Sequence, residues 1–120
     1  MIQAYDHPPQ PGQMLCRIEE IEDPGSTRID FGAYGAHLRL LLVRLGDRVH
    51  GYADDCPHAH HPLDFHFGKV FAPDRQFLQC SSHGARFRPE DGVCINGPCL
   101  GKALTRIALT LVAGEVRLAA

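Results

Sequence analysis

Residues 54–63 read Asp54-Asp55-Cys56-Pro57-His58-Ala59-His60-His61-Pro62-Leu63, and residues 80–87 read Cys80-Ser81-Ser82-His83-Gly84-Ala85-Arg86-Phe87. Each stretch pairs a thiolate donor with an imidazole donor at short range, Cys56 with His58 and Cys80 with His83. The 21 residues between His58 and Cys80 place the two pairs on separate loops. The result is a ligand set of two Cys and two His, split evenly over two segments.

Two chemistries use such a set. A [2Fe–2S] cluster needs two protein ligands on each iron, and a split set lets one iron take Cys56 and Cys80 while the other takes His58 and His83. A structural zinc ion uses the same four side chains. Zinc sites usually group like ligands, as Cys-x2–4-Cys with His-x3–5-His. Mixed types within each box suit two irons, with zinc as the alternative. A Cys–His nucleophile leaves the duplication of the pair unexplained. His60 and His61 lie beside His58 and compete with it in principle; the Cys-x-His spacing favours His58.

The rest of the chain bounds what this centre serves. Its 120 residues and 13.2 kDa make one domain, with 44% hydrophobic and 22% charged residues, a globular rather than disordered composition. Twelve Lys and Arg against fourteen Asp and Glu leave a formal charge of −2, so no basic excess exists to grip nucleic acid. The aliphatic run Leu40 to Val43 is closed by Arg39 and Arg44, too short to span a membrane. Five Cys is an odd number and fits a disulfide framework poorly. Met1 to Gln13 is polar and proline-rich, with no apolar secretory region. The expected location is a reducing cytoplasm, with thiols kept as thiols unless a metal takes them.

Outside the two boxes, short apolar runs alternate with turn signals. Residues 1–13, with Pro8, Pro9, Pro11 and Gly12, read as a loose lead-in to a single domain over 14–120. Strands are expected over Met14 to Ile18, around Ile29 and Phe31, and over Val49 to Tyr52, Leu104 to Val112 and Val116 to Leu118. His37 to Leu45 reads equally well as strand or helix; its length and the Gly46-Asp47 turn favour strand. Asp23 to Ser26 reads as a turn. The pattern predicts an all-β antiparallel sandwich or barrel, with a small cluster-binding subdomain at about 54–101. Cys16, Cys94 and Cys99 are read as buried packing residues, and His7, His37, His50 and His66 as surface or packing residues.

The two-box pattern Cys-x-His and Cys-x-x-His resembles the signature of the Rieske family. Asp54 to His58, with Leu63 five residues past the first His, resembles that family's first cluster loop, Cys80 to Phe87 its second, and Gly97-Pro98 its cluster-covering proline loop. The resemblance runs over about residues 37–118. One departure is the spacer, which is longer than is usual in the family. Strands over Phe67 to Phe71 and Phe77 to Cys80, around Ala72-Pro73-Asp74-Arg75, are expected to absorb the extra residues as a lengthened hairpin.

The resemblance implies one [2Fe–2S] cluster on Cys56, His58, Cys80 and His83, with both His bound through Nδ1. It also implies a low-potential branch. Respiratory members carry a further Cys in each loop, joined as a disulfide; the matching positions are His61 and Ser82. Their second loop supplies Ser and Tyr hydroxyls; the matching positions are Ala85 and Phe87. Both changes lower the potential, giving about −150 mV rather than about +300 mV.

The function so implied is a soluble electron-transfer protein, not itself an enzyme, working between a flavin reductase and a terminal oxygenase. The alternatives are a cluster-bearing small subunit of an assimilatory nitrite reductase and a zinc-binding interaction module. The expected partners are redox proteins, with no nucleic acid and no membrane, and the chain is expected to be a monomer. His60, His61, Pro62, Arg86, Pro98 and Leu100 flank the ligands and are the candidate cluster-covering or docking residues. From its length the chain is not expected to carry a mononuclear iron domain, and no Gly-x-Gly-x-x-Gly is present in it.

Overall fold

Leu40, Leu41, Leu42 and Val43 are all fully buried, although strand side chains point alternately to opposite faces. The strand that holds them must therefore lie between two hydrophobic cores. A computed structural model of the chain describes residues 3–32, 38–57, 63, 69–81 and 84–119. In chain order the strands are β1 (Gln3–Tyr5), β2 (Met14–Arg17), β3 (Gly25–Phe31), β4 (Leu38–Leu45), β5 (Arg48–Ala53), β6 (Leu78–Gln79), β7 (Arg86–Phe87), β8 (Cys94–Asn96), β9 (Arg106–Ile107), β10 (Leu109–Val112) and β11 (Glu115–Leu118). A single 3-10 turn, Ile18–Glu20, is the one helical element among the described residues. No helix of the described residues is long and apolar enough to cross a membrane.

The strands form a five-stranded sheet in the order β1-β3-β4-β5-β9 and two three-stranded sheets, β10-β11-β2 and β6-β7-β8. Leu40 and Leu42 of β4 enter a core with Leu15, Ile21, Ile29, Phe31, Val116 and Leu118. Leu41 and Val43 point the other way, into a core with Tyr52, Cys56, Leu63, Val70, Leu78, Cys80 and Phe87. The all-β, largely antiparallel expectation holds.

Several details differ from the sequence reading. The lead-in is not wholly loose: β1 pairs with β3, in parallel, through Gln3–Ile29 to Tyr5–Phe31, and the Tyr5 and Phe31 rings stack at 5.2 Å. The expected strand Leu104 to Val112 is two strands. Arg106–Ile107 pairs with β5, and Leu109–Val112 pairs with β11 in another sheet. The chain changes sheet at Ala108, whose carbonyl accepts from Ala119 N at 3.1 Å. The lengthened hairpin is present in reduced form, with a Phe71–Leu78 bridge and bonds from Ala72 N to Phe77 O (2.8 Å) and Gln79 N to Val70 O (2.8 Å). Only Leu78–Gln79 of it is regular strand; Phe67 and Gly68 lie outside the described residues.

Candidate metal centre

Cys56 leaves the end of β5 and Cys80 the end of β6, so strands of two different sheets deliver the two thiols. Both are buried, at 0% and 1% exposure, and both belong to the same hydrophobic core. His58 and His83, and with them His60, His61 and Pro62, lie outside the described residues. Among the described residues no three His, Cys, Asp or Glu side chains converge as a metal site. Two thiols and two imidazoles from a pair of adjoining loops are a donor set that fits a [2Fe–2S] cluster, and the described half of that set sits in a dry, apolar setting.

The backbone around each thiol is fixed by specific bonds. In the first loop, Asp54 is 1% exposed. Its Oδ1 accepts from Leu63 N at 2.9 Å, and its Oδ2 lies 3.6 Å from Arg28 Nη1. Its amide donates to Arg39 O at 2.7 Å, and its carbonyl accepts from Arg39 Nε at 3.2 Å. One side chain thus clamps both ends of the segment that carries Cys56 and His58. Leu63 then links the loops, because its carbonyl accepts from Ser81 N at 2.7 Å. In the second loop, Cys80 N donates to Ala85 O (2.8 Å) and Gly84 N to Cys80 O (3.0 Å), a tight turn with Gly84 at φ 69.

The segment after β8 packs on this second loop. Gly97 has φ 101, and a Cβ there would sit 2.8 Å from Ala85 Cα, so only glycine allows the approach. Pro98 and Leu100 are exposed, Leu100 at 68%, while Cys99 between them is 1% exposed. Arg86 is partly exposed; its Nη1 lies 3.3 Å from Asp74 Oδ2 and its guanidinium 5.7 Å from the Phe77 ring centroid. Of the docking candidates among the described residues, Pro98 and Leu100 are thus exposed and Arg86 partly exposed, and Gly97 next to Pro98 lies against Ala85.

Sequence reasoning quoted Asp54 as part of the motif but gave it no role. Its partners, Leu63 and Arg28, are fixed only by the fold. Cys16 is buried, as expected, and burial foremost, then Glu20, pushes its thiol up to about 11. Cys94 and Cys99 are buried too, but they touch: the Cys99 thiol donates to Cys94 Sγ at 2.9 Å. Burial first, then Cys94, and then Cys56, push the Cys99 thiol up.

No curated protein sequence matches the chain. Among solved structures it is similar to the ferredoxin of carbazole 1,9a-dioxygenase from Nocardioides aromaticivorans IC177, at TM-score 0.68 and 20% identity over 92% of this chain and 98% of that one. It is also similar to a chain of the complex of reduced oxygenase and oxidized ferredoxin in carbazole 1,9a-dioxygenase, at TM-score 0.69 and 21% identity over 89% and 91%. A third likeness is to the terminal oxygenase of carbazole 1,9a-dioxygenase from Novosphingobium sp. KA1, at TM-score 0.72 and 20% identity over 94% of this chain but 30% of that one. At such identities the likeness is one of fold. A family model of the Rieske [2Fe–2S] domain matches residues 12–112, which take in both Cys–His boxes and the Gly97-Pro98 segment, and the chain belongs to that family.

Proposed function

We propose that this chain is a ferredoxin-type electron carrier, holding one [2Fe–2S] cluster on Cys56, His58, Cys80 and His83 and passing electrons from a flavin reductase to a terminal oxygenase. The observation that carries this reading is the burial of Cys56 and Cys80 in one core, on two loops joined through Leu63 and Ser81. The carrier role is supported by the likeness that spans 98% of a ferredoxin's chain. When bound, the cluster accepts and returns a single electron.

The chain's own residues set the terms of that exchange. Ala85 and Phe87 are buried beside the second loop and carry no hydroxyl to donate toward sulfur. Donors to sulfur favour the more negative, reduced state, so their lack at these positions lowers the potential. The exposed Leu100 and Pro98, with Arg86 and its ion-pair partner Asp74, are the proposed docking residues for a redox partner. His60, His61 and Pro62, the other docking candidates from the sequence, lie outside the described residues.

Iron and acid-labile sulfide analysis of the purified chain tests the cluster; zinc in place of both overturns it. Voltammetry tests the branch. A potential near the bottom of the Rieske range, about −150 mV, is expected, and a value well above zero overturns the reading of Ala85 and Phe87. Arg86→Ala and Leu100→Ser are expected to slow electron transfer to the oxygenase with an unchanged visible spectrum. Wild-type rates in both place the docking face elsewhere.

A further inference from the structure

Five cysteines exceed the two that the centre uses, and two of the remaining three are in contact. The Cys99 thiol donates to Cys94 Sγ at 2.9 Å, and the Cys94 thiol donates in turn to Asn96 O at 3.3 Å. A covalent S–S bond is about 2.04 Å long, so the two sulfurs need to close by only about 0.9 Å. The backbone already holds both residues in place. Lys102 O accepts from Cys94 N at 2.7 Å and Lys102 N donates to Cys99 O at 2.9 Å, so one residue pins both. We propose that Cys94 and Cys99 are a redox-active dithiol that closes to an intramolecular disulfide under hydroperoxide.

The step balances with hydrogen peroxide as oxidant. One sulfur attacks a peroxide oxygen; the O–O bond breaks, a sulfenic acid forms and one water leaves. The second sulfur attacks the sulfenic sulfur; the S–S bond forms, the S–O bond breaks and a second water leaves. The two thiol hydrogens end in the two waters, and the two electrons of the new disulfide's formation pass to peroxide. The adjacent second thiol intercepts the sulfenic acid before further oxidation. Both residues are 1% exposed, so only an oxidant as small as hydrogen peroxide suits the site.

The site has a structural consequence. Gly97 and Pro98 lie inside the six-residue ring that the disulfide closes, and this is the segment seated on Ala85. Oxidation ties that segment to β8, and exchange at the Leu100 amide, which donates to Gly97 O at 3.2 Å, is expected to slow by about tenfold.

The proposal stands apart from the cluster assignment, and its test reads it separately. The tryptic peptide Phe87 to Lys102 contains Cys94 and Cys99 and no other cysteine. The full chain is treated with hydrogen peroxide, denatured, alkylated and mapped, with iron and acid-labile sulfide measured on an untreated aliquot of the same preparation. The expected product is this peptide lighter by about 2 Da, resistant to alkylation, and carrying two alkyl groups after dithiothreitol. In Cys99→Ser, Cys94 is expected to advance to sulfinic acid instead. Sulfinic acid at Cys94 or Cys99 in the wild-type chain, a cross-link to Cys56, or two thiols left unoxidised at peroxide levels that oxidise Cys94 in Cys99→Ser overturns the proposal. Should Cys99→Ser not fold, the wild-type peptide decides alone, with unoxidised thiols after peroxide in denaturant-free buffer counting against it. Absence of iron with a normal cross-link refutes the cluster reading and leaves the dithiol standing.

Discussion

Replacing Asp54 with alanine is expected to destabilise the chain by about 3 kcal/mol, a sum built from two contacts. The first is the bond from Leu63 N to Asp54 Oδ1, at 2.9 Å in a buried setting. Removing the acceptor strands a buried N–H, at about 1–3 kcal/mol. The second is Arg28, whose Nη1 lies 3.6 Å from Oδ2 with its side chain only 13% exposed. Removing one partner of a buried pair costs about 3–5 kcal/mol when the other charge is left alone. Arg28 is not left alone, because its Nε keeps Asp30 Oδ1 at 2.9 Å, so only a fraction of that figure applies. Against a total stability of about 5–15 kcal/mol, the loss is a large share. Asp54→Asn keeps an acceptor for Leu63 N and exchanges the Oδ2 opposite Arg28 for a neutral NH2, so a smaller loss of about 1 kcal/mol is expected. Urea unfolding followed by far-UV circular dichroism gives both values, with visible absorbance per chain reporting the metal centre. Asp54→Ala should lose the centre and Asp54→Asn retain it. An alanine variant within about 0.5 kcal/mol of wild type, or an asparagine variant as damaged as alanine, refutes the clamp.

Leu41→Ala and Leu42→Ala are both expected to cost about 2–5 kcal/mol, but only Leu41→Ala should lower iron content, because the two side chains enter different cores. Gly97→Ala puts a Cβ 2.8 Å from Ala85 Cα at φ 101; a loss of about 1–2 kcal/mol and an altered visible circular dichroism spectrum are expected. His50 is held below its ordinary 6.5 by burial first and then by Arg106. The unfolded chain therefore binds that proton more readily, so the contribution of His50 is present above pH 6.5 and lost as pH falls through 6.5 toward the folded value. The urea midpoint of wild type should drop faster than that of His50→Gln below that pH; parallel curves refute the assignment.

Sequence made the sheet class legible where a strand buries alternate positions, Ile29 and Phe31 in β3 and Val116 and Leu118 in β11. It left β4 ambiguous for a physical reason. Leu40 to Val43 shows no alternation because both faces of the strand are buried, and a run buried all round carries no period. The sheet change at Ala108 was hidden by the opposite effect: alternation records which face is inside, and it continues unbroken when a chain passes from one sheet to another. The β1 strand was masked by the prolines after it, yet Pro8, Pro9 and Pro11 all lie beyond Tyr5 and leave its pairing with β3 intact. The thiol and imidazole boxes were legible because ligand chemistry demands fixed residue types at short spacing. Asp54 and the Cys94–Cys99 contact were not, since each depends on partners that only folding brings near.

The same packing that hid β4 explains how so small a site is held rigidly. Strands β6, β7 and β8 have two, two and three residues, too little for a sheet to stand on its own. The five-stranded sheet supplies the missing wall. Leu41, Val43 and Tyr52 pack beneath Leu78, Cys80 and Phe87, and Tyr52 Oη donates to Pro89 O at 2.7 Å across the join. Ser26 Oγ, from β3, accepts from Val70 N at 3.0 Å and fixes the approach to the second loop. Cys56 and Cys80 therefore emerge from elements braced by one shared core rather than from free loops. On the proposed reading this placement suits the task, since ligands held by packed strands move little when charge arrives, and a carrier that moves little transfers its electron with a small reorganisation cost. The Gly97-Pro98 segment, seated on Ala85 and exposed on its other side, is also where the structure sets a pair of thiols in contact.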